Sequence, residues 1–107
     1  MNNYNLKDMV KGWFVGSFSP AAFQTENCEV AVKKYEAGEF EEAHFHKVAT
    51  EITLVLSGEI RMIDKTWKAG DIIVLEPGTV TDFLAVTEAV NVVVKVPSAE
   101  NDKYLAS

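Results

Sequence analysis

The chain has 107 residues, a mass of 11.8 kDa and a formal net charge of −6, the size of one domain with one hydrophobic core. Sixteen acidic residues face ten basic ones and Arg61 is the sole arginine, which argues against nucleic-acid or anionic-membrane binding, since both need concentrated Lys and Arg. No run of about 18 apolar residues encodes a membrane span, the N-terminus lacks the pattern of a secretory signal, and the single cysteine, Cys28, forms no internal disulfide, so a cytoplasmic setting is expected.

In chain order, Leu6, Met9 and Val10 after Asn5 suggest one amphipathic helical turn. Trp13, Phe14, Phe18 and Phe23 then crowd between Gly12, Gly16 and Pro20. This segment is expected to pack over the outside of a sheet or against a second subunit, and Trp67 is likewise read as packing rather than as a ligand platform. Glu29–Tyr35 alternates as a strand and ends near Gly38, while the acidic run Glu39–Glu42 reads as a solvated loop. Glu51–Leu56 is a strand closed by Ser57-Gly58, and Glu59–Asp64 follows, which places Gly58 in a tight hairpin needing positive φ. Asp71–Leu75 lies between Gly70 and Pro77-Gly78, and Val90–Val96 is stopped by Pro97. The tail from Ser98 to Ser107 suggests a second helical turn. Short strands at regular spacing with Gly and Pro punctuation imply an all-β sandwich or barrel.

The two histidines are His44 and His46. Residues two apart in a strand share a face, so both imidazoles point one way, and an antiparallel pairing would bring Glu51 beside them. Two nitrogen donors and a carboxylate make a candidate divalent-metal site with open positions. If Glu51 faces inward, so do Thr53 and Val55, whereas Ile52, Leu54 and Leu56 face out and need covering. A homodimer is therefore expected. Arg61 is a candidate clamp for a carboxylate or phosphate, against the plainer reading of a solvated strand residue. Cys28 has no neighbouring histidine or basic cluster and reads as a small buried residue rather than a nucleophile. The dispersed glycines form no phosphate-binding loop.

Gly38, five residues, His44-Phe45-His46, four residues, Glu51, six residues and Gly58 resemble the first sequence motif of the cupin superfamily, and Gly70-Asp71 followed by Pro77-Gly78 resembles the second. The resemblance implies a double-stranded β-helix, a jelly-roll barrel holding a small molecule or metal. It divides the single domain into an N-terminal extension (1–27), a barrel (28–97) and a tail (98–107). The second motif departs from the family pattern: Glu76 stands where proline is usual, and Thr81 stands where a third histidine is expected. Asp82 is a substitute ligand only if a bulge re-aims it, and Phe83, which shares parity with Thr81, should line the same cavity. The implied metal set is then His44, His46 and Glu51, holding Fe, Mn, Ni or Zn. The implied function is binding of a small oxygen-bearing ligand, with metal-dependent oxygenation or isomerisation as candidate reactions. The alternatives are a metal-free cupin binding a sugar-like ligand and a non-catalytic effector-binding module.

Overall fold

The computed structural model describes residues 1–106. Eleven strands run through the chain: β1 (Trp13–Gly16), β2 (Phe23–Gln24), β3 (Glu29–Tyr35), β4 (Phe40–Phe45), β5 (Thr50–Ser57), β6 (Glu59–Met62), β7 (Lys65–Lys68), β8 (Ile72–Leu75), β9 (Thr81–Ala85), β10 (Ala89–Val96) and β11 (Tyr104–Leu105). They form a six-stranded sheet, in the order β2-β1-β3-β10-β5-β8, and a five-stranded sheet, β11-β4-β9-β6-β7. Two packed sheets of non-sequential, mostly antiparallel strands are the jelly-roll arrangement of a double-stranded β-helix. No helix of the described residues is long and apolar enough to cross a membrane.

Alternation drives the architecture. Along β9 and β10, buried residues alternate with half-buried ones, as a pleated strand with one face on the core requires. The core of Val55, Ile60, Met62, Ile73, Leu75, Phe83, Ala85 and Ala89, with Tyr35 and Trp67 packed against it, fills one end of the barrel. The inward row of β5 begins with Glu51 and Thr53 and only then reaches Val55, so polarity rises toward the opposite end.

Several sequence expectations are corrected. The aromatic N-terminal segment does not lie over a sheet. Its β1 and β2 extend the six-stranded sheet edgewise, with Trp13 opposite Ala31 and facing inward. The segment from Glu39 to Glu42 is largely strand β4 rather than loop, because it pairs with β9 at Phe40–Leu84 and Glu41–Phe83. The tail forms β11 against β4 instead of a helical turn, and Ser107 lies outside the described residues. The early turn does form, as a 3₁₀ turn over Leu6–Asp8 with the Asn5 side chain accepting from the Lys7 N–H. Gly58 does not close a hairpin, because β5 and β6 belong to different sheets, but its φ of +80° and the Glu88 carbonyl that a Cβ would meet still require glycine where the chain crosses between them.

Candidate metal and ligand site

The open end of the barrel holds a cavity of about 230 Å³ lined by residues of both sheets. His44 comes from β4 and His46 lies just beyond its end, while Glu51 sits on β5. These strands belong to different sheets, so Glu51 reaches the histidines across the barrel and not through the antiparallel pairing expected from the sequence. His44, His46, Glu51, Thr53 and Phe83 all line the cavity. The two imidazoles meet edge to face, with centroids 5.6 Å apart.

Both imidazoles are oriented from behind. His44 Nδ1 donates to the Glu42 carbonyl at 2.8 Å, and His46 Nδ1 donates to the Asp102 carbonyl at 2.6 Å. A carbonyl only accepts, so each ring carries its proton on Nδ1 and leaves Nε2 available as a donor to a metal or ligand. His46 is 7% exposed and its Nε2 has no hydrogen-bond partner, yet it stands 3.5 Å from Glu51 Oε1. Two donors bound tetrahedrally to one ion at about 2.1 Å are separated by roughly 3.4 Å, so this orphaned edge fits a divalent metal. His44 is beside it but not closed around the same point: among the described residues no group of three His, Cys, Asp or Glu is gathered for a metal ion.

Asp102 was not legible in the sequence as a member of this site. Its carboxylate accepts from the backbone N–H groups of Lys47, Val48 and Ala49 at 2.9 to 3.1 Å, while its carbonyl holds His46. Burial acts to raise its pKa, but the three N–H donors outweigh it and hold the carboxyl below its ordinary value. The Glu51 carboxylate beside His46 raises its pKa against the opposing effect of burial. Burial also pushes Glu51 up, but its contact with His46 and the nearby Lys95 bring it below the usual value. Burial, reinforced by Glu41, Glu51 and Glu39, raises the Tyr35 phenol so far that it remains a protonated donor. Tyr35 is fixed against Phe83, with ring centroids 4.5 Å apart.

Three expected pocket residues lie elsewhere. Arg61 is exposed on β6, and its inward neighbour Met62 lines the cavity instead. Strand parity alone separates them. Thr81 is opposite His44 in the β4–β9 register, but a shift in that register falls between Glu41 and His44. Its hydroxyl accepts from the Ile63 N–H at 2.9 Å and donates to the Asp82 carbonyl at 2.7 Å, tying it to the β6–β7 turn rather than to the cavity. Asp82 is half-buried and does not line the cavity. The pocket departs from expectation in another way, because Trp13 belongs to its wall, together with Lys33, Asn91 and Lys95.

No protein-family model and no curated protein matches the sequence. Solved structures do match. A protein with a double-stranded β-helix domain from Klebsiella pneumoniae subsp. pneumoniae MGH 78578 aligns with a TM-score of 0.70 and 27% identity, over 77% of this chain and 72% of that one. An RmlC-like cupin from Shewanella frigidimarina NCIMB 400 aligns with a TM-score of 0.64 and 17% identity, over 72% of each chain. The DMSP lyase DddQ from Ruegeria pomeroyi DSS-3 aligns with a TM-score of 0.72 and 19% identity, over 88% of this chain and 49% of that one. The chain therefore shares the double-stranded β-helix fold of these proteins, and the stretch from Gly38 to Gly58 that resembles the first cupin motif lies within that fold.

Proposed function

We propose that the chain binds a small oxygen-bearing molecule at a divalent metal (Fe, Mn, Ni or Zn) held by His46 Nε2 and the Glu51 carboxylate, with His44 as a third arm. The observation that carries this reading is the orphaned Nε2 of a buried histidine, 3.5 Å from a carboxylate and with its tautomer fixed from behind. A divalent ion there supplies Lewis-acid polarisation of the ligand oxygen. The chain's own residues do the rest. Asp102 orients His46, the Tyr35 hydroxyl offers a proton-bearing donor, and Phe83, Met62 and Val93 supply apolar wall. Oxygenation and isomerisation by proton transfer are the reactions this arrangement suits. The lyase among its structural neighbours supports an enzymatic reading, although a shared barrel does not fix the chemistry.

A second reading is favoured by the fact that three donors are not gathered around one point. In a metal-free, sugar-like binding site, His46 and Glu51 are a hydrogen-bonded acid–base pair. Metal analysis of untagged protein, followed by titration with Mn²⁺ and Ni²⁺, separates the two. The metal reading expects saturable binding weakened tenfold or more by His46→Ala and by Glu51→Gln, at least matching the effect of losing an outer-sphere partner. A content under about 0.1 ion per chain, not restored by added metal, selects the metal-free reading.

A further inference from the structure

The protein carries a net charge of −6 and only ten basic residues, yet four lysines, Lys11, Lys33, Lys95 and Lys103, border this one cavity. Two carboxylates, Glu41 and Glu51, line it with them. Lys103 is committed to Glu41 at 3.8 Å, but among the described residues Lys11, Lys33 and Lys95 have no carboxylate within 4.0 Å. Lys33 and Lys95 flank the ring of Trp13, with their ammonium groups 5.7 and 5.0 Å from its centroid. Lys33 donates to the Lys11 carbonyl at 3.1 Å, a contact that fixes the ammonium without neutralising it. It is also half-buried, and burial and the neighbouring ammonium groups lower its pKa against the pull of Glu41. Like charges gathered at a partly desolvated wall are unfavourable unless an anion joins them.

A second observation is independent of charge. Asn91, opposite Lys33 in the β3–β10 pairing, is 1% exposed, lines the same cavity, and its side-chain oxygen has no hydrogen-bond partner. Buried amides are normally satisfied. The amide orientation is interchangeable, so this side chain can present either its NH₂ or its oxygen to a bound molecule. Across β10 on the other side, Lys95 is opposite Glu51, so the lysine wall adjoins the proposed metal edge.

We infer that the cavity recognises a small organic oxyanion, its carboxylate or phosphate head held by Lys33 and Lys95 beside Trp13 and its body lying over Asn91 toward His46 and Glu51. This rests on the small-molecule reading given above and adds the ligand's charge class. Its geometry does not depend on a metal. Arginine, with its fixed fork, is absent from the wall, so recognition here is by converging point charges.

The test is calorimetric titration of the full chain with malonate, inorganic phosphate and the uncharged malonamide, at constant ionic strength. Saturable binding of malonate or phosphate is expected, with malonamide at least tenfold weaker. Whichever anion binds better identifies the head group. Lys33→Gln with Lys95→Gln should weaken the anion tenfold or more, since each removes a charge-assisted contact, while Lys68→Gln on exposed β7 should leave it unchanged. If the double variant does not fold, the wild-type protein still decides. Raising the salt must weaken anion binding and leave malonamide unaffected. Malonamide binding as well as malonate, no saturable response to either anion, or an affinity indifferent to salt overturns the inference. Mn²⁺ titration in parallel keeps the two readings apart. Metal binding without anion binding removes only the oxyanion, and anion binding without metal removes only the metal.

Discussion

Asp102 ties the last turn of the chain to the metal-binding edge, because one residue holds the 47–49 backbone with its side chain and His46 with its carbonyl. Asp102→Ala orphans three N–H groups, so a loss of about 2 to 4 kcal/mol is expected by urea unfolding, with part of it recovered in Asp102→Asn. Metal affinity should fall with it, since the loop that aims His46 loosens. The same residues set a pH profile for chelator-treated protein. Glu51 and Asp102 have folded pKa values below their ordinary 4.5 and 3.8, so their contribution is complete above those values and is lost as pH falls through the lower folded ones. His46 is displaced upward from 6.5, so its contribution is complete below that value and is lost as pH rises through the higher folded one. Unfolding free energy should therefore peak between the two windows, near pH 5 to 6 on ordinary pKa values. A stability that keeps rising from pH 6 to 8 would show that the His46–Glu51 contact contributes nothing. His44, His46 and Glu51 line one cavity, as their spacing and the resemblance to the first cupin motif led one to expect, although Glu51 arrives from the opposite sheet and not by strand pairing. Asp102 was not legible, because it reaches His46 from 56 residues away and no local pattern announces it.

The β6–β7 hairpin carries local strain. Ile63 and Asp64 at its tip have φ of 52° and 53°, the two positive values of a type I′ turn, which favours Asn-Gly and penalises a β-branched residue. Ile63 is 42% exposed, so its side chain contributes little packing in return. Ile63→Gly is expected to stabilise by about 1 kcal/mol, read as a rise of roughly 4 to 8 °C in Tm. Thr81→Val should cost about 1 to 2 kcal/mol by removing the acceptor of the Ile63 N–H. This turn also marks where the sequence pattern stopped being informative. Glu59–Asp64 reads as one strand, but the strand ends at Met62 and the chain reverses into β7, whose Lys-Thr-Trp-Lys has no clear apolar alternation. By contrast Glu29–Tyr35 matches β3 residue for residue, since its Val-Ala-Val alternation faces two different environments. The lysine wall was illegible for another reason. Lys33 lies on β3 and Lys95 on β10, and only the pairing of those strands puts Lys33 opposite Asn91 and on one cavity wall with Lys95.

The whole molecule leaves one face unexplained by its own fold. On the outside of the six-stranded sheet, Ile52 is opposite Val74 and Leu54 is opposite Ile72, and both also pair with Val94 and Val92 of β10. Leu56, Ile72 and Val74 are 51%, 62% and 56% exposed. The N-terminal segment does not cover them, because β1 and β2 lie at the opposite edge of that sheet, and Tyr4, Leu6 and Met9 gather instead near Phe14 and Val32. Beta-8 is moreover an edge strand, and neither of its exposed apolar side chains is a charge that would discourage association. A second copy of the chain, laid against the same face in a C2 pair, removes this apolar surface from water on both copies at once. Light scattering at micromolar concentration is therefore expected to give twice 11.8 kDa. Ile72→Lys with Val74→Lys should give the monomer with an unchanged circular dichroism spectrum. These side chains point away from the cavity, so malonate binding should survive in the monomeric variant. Loss of binding together with the dimer would mean that the partner copy completes the pocket, and a wild-type monomer mass would leave the apolar row uncovered and the dimer refuted.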